Sequence, residues 1–412
     1  MENKNITISL FSNTAWSIFN FRRGLIAAMQ ASGYTVSVVA PPDNVYVPLL
    51  EAMGCTVTQI PMDNMGVSVW RDGLLWLRYL RYLLTARPQV VILFTIKPVI
   101  YGATVSRFLR IKSICVITGL GTAFIQDSWL KRFVSFLYKI ALKFPDRIFF
   151  LNKEDLELFL SSDLLNNALL LPGEGVDLKE FSDINIIPND IAKYQLAEVL
   201  PGSGINLNYF FEKFDPSLTK NSSELVFLLI ARMIRDKGIV EFVNAAKLLK
   251  INYPSVRFQL LGFVGVKNKS AISQDEIDEW VYSGAVEYLG VAQDVRPFLN
   301  NADCIVLPSY REGVPRTLLE AAAMSKPIVT TDVPGCRDVV EDNVNGFLCQ
   351  PHDSKDLANK MELMINLSPS RRKEMGENGR EKMVREFDEH IVIDKYLTAL
   401  TEISHTLQPR YR

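Results

Sequence analysis

The chain has 412 residues, of which 48% are hydrophobic and 22% charged; this is the balance of a globular protein with real cores and enough length for two or three domains. No uncharged apolar run approaches the ~18 residues at which a membrane-spanning helix becomes the natural reading. The five cysteines (55, 115, 304, 336, 349) form no C-x-x-C and leave an odd one, which argues for buried thiols in a reducing compartment and against a disulfide framework or a zinc site.

In chain order, residues 5–11 read as a strand, 20–32 as a helix and 35–40 as a strand, with no signal peptide ahead of them. A cytoplasmic protein is expected. Residues 89–94, 113–117 and 147–151 are further buried strands separated by helical stretches, the pattern of a doubly wound parallel sheet whose ligands sit at the strands' carboxyl ends. The pattern restarts with strands at 225–230, 257–261, 304–307 and 327–330, and a final helix over about 390–405 is expected to cross back onto the first lobe. The predicted fold is α/β, two doubly wound Rossmann-like lobes facing across a cleft. Residues 1–168 form the first lobe, 169–221 the linker, 222–385 the second lobe and 386–412 the returning helix. Within the linker, residues 171–181 recur twenty-nine positions later as 200–210, with six identities in eleven. This reads as a local duplication, with Gly173 and Gly175 or Gly202 and Gly204 as the hinge.

The net charge of −1 conceals an asymmetry: residues 66–150 hold thirteen Lys and Arg against three Asp and no Glu, a charge of +10, leaving −11 for the remainder. Arg71, Arg78 and Arg81 share one helical face among Trp70, Leu74 and Leu77, and residues 129–143 mix cations with aromatics in the same manner. Such helices can lie on an anionic membrane or accept a diphosphate-bearing lipid. One alone would read as a core helix with a solvated basic face; two in one basic lobe favour peripheral association with the inner membrane. No nucleic-acid motif accompanies the charge.

Two motifs in the second half carry chemistry. In residues 309–340, Glu312 and Glu320 stand eight positions apart, with Pro315 suited to the first turn of an intervening helix. The amides of Arg316, Thr317 and Leu318 are then orphan donors at a helix start, a site for phosphate. Carboxylates on either side could take sugar hydroxyls and ribose hydroxyls. Upstream, residues 228–238 end an apolar strand in a turn carrying Arg232 and Lys237, followed by Gly238 and a helix to about Lys250. Fixed cations there can stabilise a leaving diphosphate without a metal ion.

With these residues the chain resembles the family-4 retaining glycosyltransferases of GT-B fold. EGVPRTLLEA is similar to their Glu-x7-Glu motif and ARMIRDKG to their Arg-to-Lys diphosphate clamp. The resemblance takes in residues 222–385 specifically and the first half more loosely, where the opening segment, FTIKPVIYG and VITGLG look like bacterial enzymes of O-antigen and capsule assembly. It implies transfer of a hexose or N-acetylhexosamine from a UDP-sugar to a polyprenyl-diphosphate-linked acceptor, with no metal or other cofactor. Carried onto this sequence, Glu312 and Gly313 would meet the donor sugar and Glu320 the ribose. Arg232 and Lys237, with the backbone of Arg316, Thr317 and Leu318, would hold the diphosphate. Gly290, Val291 and Asp294 would lie beside the uracil. On the acceptor side the corresponding residues are Asn13, Lys97, Thr118 and Gly119. The chain departs from many relatives in having Ala231 for a glycine, no glycine over residues 11–22, and no histidine before His352.

The rival readings are a two-lobed nucleotide-sugar epimerase, which needs acid/base groups not found in the first lobe, and a two-lobed solute-binding protein, which would lack the Arg232/Lys237 pair.

Overall fold

The computed structural model describes residues 6–63, 68–119, 129–160, 167–182, 224–266, 268 and 270–407. It divides into two compact units. The first comprises Met1–Asp177 with Glu312–Arg316 and Glu386–Arg412; the second comprises Leu178–Arg311 and Thr317–Arg385.

In the first unit, strands β1 (Thr7–Phe11), β2 (Thr35–Ala40), β3 (Thr56–Gln59), β4 (Val90–Phe94), β5 (Lys112–Ile117), β6 (Arg147–Phe150) and β7 (Ala168–Leu170) alternate with helices α1 (Ala15–Ala31), α2 (Tyr46–Ala52), α3 (Val69–Ala86), α4 (Ala103–Leu109), α5 (Trp129–Ala141) and α6 (Lys153–Leu160). The sheet order is β3-β2-β1-β4-β5-β6-β7, parallel throughout. At its centre β4, VVILF, is a fully apolar and fully buried run because helices cover both faces. The helix expected over 20–32 starts earlier, at Ala15, because Thr14 caps it by accepting from the Ser17 N–H at 3.2 Å.

In the second unit the elements are β8 (Val226–Ile230), α7 (Ile239–Lys250), β9 (Arg257–Leu261), α8 (Gln274–Tyr282), β10 (Glu287–Tyr288), α9 (Arg296–Asn301), β11 (Cys304–Leu307), α10 (Arg316–Ala323), β12 (Ile328–Thr331), α11 (Cys336–Val339), β13 (Gly346–Cys349), α12 (Ser354–Asn366) and α13 (Pro369–Lys382). The sheet runs β10-β9-β8-β11-β12-β13, again parallel. Strand order reverses between β8 and β11, and the carboxyl ends of those two strands form the crevice where such sheets take ligands.

The last helix, α14 (Glu389–His405), belongs to the first unit, as expected. Its Tyr396 packs edge-on to Phe149 at 4.9 Å, and Lys395 Nζ donates to the Leu170 carbonyl at 2.8 Å. The turn at residues 171–177 is fixed beside it: Gly173 and Gly175 have φ of +63° and +75°, and a Cβ on Gly175 would lie 2.6 Å from Glu389 Cα. The second copy of that turn, residues 200–210 with Gly202 and Gly204, lies outside the described residues, as does most of the linker. All five cysteines are free and buried, and burial pushes the Cys55 thiol up to about 11. Among the described residues no helix is long and apolar enough to cross a membrane.

Candidate active site

In the second unit the chain leaves β8 through Ala231 into a short turn, Arg235–Lys237, closed by Gly238 at φ +72°. A Cβ on Gly238 would sit 2.0 Å from the Pro308 carbonyl oxygen. Only glycine lets this turn press against the segment that leaves β11. Two hydrogen bonds hold the contact: the Tyr310 N–H donates to the Asp236 carbonyl at 2.9 Å, and the Ser309 hydroxyl donates to the same oxygen at 3.1 Å. The Tyr310 hydroxyl donates to Glu241 Oε1 at 2.8 Å in the first turn of α7, and its ring lies 3.7 Å from that of His352. Burial, then the Glu241 carboxylate, push the Tyr310 phenol well above its ordinary range, so it stays a donor. From β12, the Thr331 hydroxyl donates to the Ser309 carbonyl.

These bonds bring Arg232 and Lys237 to the exit of β8, beside the exit of β11. Arg232 is exposed and, among the described residues, makes no side-chain hydrogen bond or ion pair; Lys237 is half-buried. Helix α10 begins at Arg316, one residue after Pro315, so the amides of Arg316, Thr317 and Leu318 are its first three donors. The Thr317 hydroxyl donates to the Ile230 carbonyl at the end of β8, 3.3 Å away, while Leu318 is buried and Glu320 half-buried. Gly290 and Val291 follow β10, two strands from β8. Asp294 is already engaged: Oδ1 accepts from Arg296 N–H at 2.9 Å and Nε at 2.8 Å, and Oδ2 from Nη2 at 2.7 Å. Its carboxylate positions Arg296 at the start of α9.

In the first unit, Asn13 is half-buried between β1 and α1. Lys97 follows β4, its Nζ 2.6 Å from Asp72 Oδ1, and Asp72 is buried in the first turn of α3, where its other oxygen accepts the Ser68 N–H at 3.1 Å. Thr118 and Gly119 follow β5. Glu312–Arg316 pack within this unit. A Cβ on Gly313 would stand 2.4 Å from the Thr118 carbonyl oxygen, and Asn152 Nδ2 donates to the Gly313 carbonyl at 3.0 Å. Thr118, Gly119 and Gly313 are therefore brought together, next to the half-buried Glu312. The Arg316 side chain lies over the Phe21 ring at 5.3 Å. Burial raises the Glu174 carboxyl, an effect opposed by Arg22 and Arg316, and burial likewise raises Glu389, with Asp177 adding to it and Arg316 opposing. Arg22 is buried, stacked 3.9 Å over Phe94 and paired with Glu174.

Sequence reasoning missed Asp72, Ser309, Tyr310 and Glu241 as supports. Ser309 and Tyr310 stand at the head of the 309–340 segment; Asp72 and Glu241 carry no sequence signal, because their partners lie 25 and 69 positions away. Among the described residues, no group of three or more His, Cys, Asp or Glu is placed to hold a metal ion.

Two parallel α/β units of this kind are the architecture of the GT-B glycosyltransferases. The family model for group 1 glycosyl transferases matches residues 210–382, and the glycosyl transferase 4-like domain matches residues 20–167. The chain belongs to this family and is a glycosyltransferase. It is 27% identical over 400 residues to the N,N'-diacetylbacillosaminyl-diphospho-undecaprenol alpha-1,3-N-acetylgalactosaminyltransferase of Campylobacter jejuni, covering 95% of this chain and 97% of that protein. Among solved structures, Anabaena HepE in complex with UDP-glucose superposes with a TM-score of 0.73 at 18% identity, covering 97% of this chain and all of that one. Sucrose-phosphate synthase from Thermosynechococcus elongatus does so with a TM-score of 0.74 at 17% identity, covering 98% and 100%.

Proposed function

We propose that the protein transfers a hexose or N-acetylhexosamine, with retained anomeric configuration, from a UDP-sugar to a polyprenyl-diphosphate-linked saccharide in O-antigen or capsule assembly. The observation that carries the reading is that Arg232 and Lys237 follow β8 while the start of α10 lies at the end of the same strand, where the Thr317 hydroxyl donates to the Ile230 carbonyl. Two cations and a helix start suit a nucleoside diphosphate. The Campylobacter relative is named for an undecaprenyl-diphosphate acceptor and HepE was solved with UDP-glucose, which supports both ends of the proposal.

In the reaction the bond between the sugar C1 and the β-phosphate oxygen breaks, and its electron pair leaves with UDP. Arg232, Lys237 and the α10 amides stabilise that charge, so no step calls for a metal ion. The acceptor hydroxyl oxygen bonds to C1 on the face the phosphate leaves, and its proton passes to the departing phosphate. Glu312 orients the sugar and stabilises positive charge at C1 without becoming a nucleophile; Glu320 holds the ribose.

The acceptor's lipid tail places the enzyme at the inner face of the membrane as a peripheral protein. What supports this is a stripe on α3, where Trp70, Leu74, Leu77, Arg81 and Leu84 recur at spacings of four and three and all face water. The opposite face, with Leu75, Tyr79 and Leu83, is core. Trp70 is 89% exposed, and beside α3 on α4 Phe108 is 69% exposed, with Phe136 exposed on α5. Apolar surface of this kind in a basic surround suits an anionic interface.

Labelled UDP-sugar incubated with and without polyprenyl-diphosphate-linked acceptor tests the proposal. Label that moves to the lipid only when acceptor is present is the expected result. Acceptor-free epimerisation, or binding with no turnover, would replace it with one of the rival activities.

A further inference from the structure

The turn at residues 171–177 meets three other parts of the first unit at once. A Cβ on Gly173 would lie 2.9 Å from Val314 Cβ, so this glycine packs on the segment that carries Glu312. Two residues on, Gly175 packs on Glu389, and a bridge at Val176 continues the contact: its N–H donates to the Phe387 carbonyl at 2.9 Å, and its carbonyl accepts the Glu389 N–H at 3.1 Å. The Glu389 carboxylate reaches α1, where a Cβ on Gly24 would stand 2.7 Å from its Oε2. Glu174, between the two glycines of the turn, pairs with Arg22 of the same helix, and Arg22 Nη1 donates to the Ser17 carbonyl at 2.9 Å. One residue earlier on α1, Phe21 carries the Arg316 guanidinium over its ring. Residues 173–176, Phe21 to Gly24, Val314 to Arg316 and Glu389 thus form one knot.

A buried ion pair is poor evidence of stability, because desolvating both charges consumes much of their attraction. An apolar pair would fill this place without that cost. What the Glu174 carboxylate adds is a negative charge beside the segment Glu312–Arg316. Burial raises its carboxyl, and Arg22 and then Arg316 oppose the rise, so the carboxylate acts on both cations. We propose that Glu174, fixed by Arg22, is a positioning residue: it holds the Arg316 side chain against Phe21 and so sets where Glu312 and the Arg316 amide stand. This rests on the reading of Glu312 as the donor-sugar contact. Glu312 is two residues from Val314 and four from Arg316, so a shift at either is passed to it along a short stretch of backbone. A misplacement of about 1 Å at a reacting centre can cost ~10² in rate.

Transfer rates at saturating donor, read beside urea midpoints of the whole protein, test the assignment. Glu174→Gln should slow transfer about ten- to hundredfold while UDP still binds. It should also lower the midpoint, because Arg22 is left buried without its counter-charge. Arg22→Met combined with Glu174→Gln removes both charges, and should restore the midpoint without restoring the rate. In an Arg316→Met background, itself slow, Glu174→Gln should slow transfer no further, since the two residues act through one contact. Recovery of the rate together with the midpoint, or an equal fold-loss with and without Arg316, would overturn the proposal and leave only a stabilising contact. A wild-type rate in Glu174→Gln beside an inactive Glu312→Ala would overturn it as well. Near-normal rates in both of those variants would instead overturn the reading of Glu312.

Discussion

The proposed donor end of the second unit and the proposed membrane-facing helices of the first would solve opposite problems. At the β8, β9 and β11 exits the backbone approaches itself so closely that Gly238 and Gly262 admit no Cβ. Along α3, α4 and α5 large side chains such as Trp70, Phe108 and Phe136 stand in water. Placing a diphosphate demands donors fixed to within a fraction of an ångström, whereas docking on a fluid lipid surface demands only area and charge. Tight geometry is therefore written as particular residues at set spacing, and loose docking as composition. Substitutions should separate the two regions: single atoms matter in the first, summed charge and area in the second.

The largest effect is expected at the sugar contact. Glu312→Ala should lower the transfer rate at saturating donor by at least ~10², the scale of losing a group that stabilises developing charge, while UDP still binds. Glu320→Ala should act chiefly by raising the donor KM. Near-normal turnover by both variants at saturating donor, measured with labelled UDP-sugar, would remove the two glutamates from the site.

Next come two glycines that share a positive φ and differ in their surroundings. Gly238→Ala adds backbone strain and a clash with Pro308, together about 2–5 kcal/mol. Gly290→Ala adds strain alone, about 1–2 kcal/mol. Urea unfolding reads both, and equal midpoint shifts would mean that the Gly238 contact does not constrain the turn.

On the first unit, Arg81→Gln with Lys139→Gln should weaken co-sedimentation with anionic vesicles by about 2 kcal/mol, at ~1 kcal/mol per cation near the surface. Wild-type binding should fall as salt is raised, since the screening length drops to ~3 Å at 1 M. Donor hydrolysis in solution should be untouched by the pair. Undiminished vesicle binding would make the basic face merely solvated.

How much was legible follows the same division. The central strands β1, β4, β8 and β11 announced themselves as apolar runs, because a parallel strand covered on both faces has no polar side to show. Strands β3 and β10 did not: they are edge strands of four and two residues with half-exposed positions. The start of α10 and the turn after β8 were readable, because Pro315 marks a first helical turn and Gly238 a left-handed close. The Tyr310 to Glu241 bond and the Lys97 to Asp72 pair were not, since each joins segments that only the tertiary fold brings into contact. In α1 the Thr14 side chain caps a helix that begins at Ala15, ahead of the start expected at residue 20.

In the proposed reaction Arg232 and Lys237 hold the leaving diphosphate in place of a metal ion. The direct measurement is the rate of sugar transfer to lipid-linked acceptor in EDTA, for wild-type protein and Lys237→Ala side by side. The expected result is an undiminished wild-type rate and a loss of ~10²–10³ in the variant. A wild-type rate that collapses on chelation and returns with added divalent cation, with Lys237→Ala no slower than wild type, would contradict it.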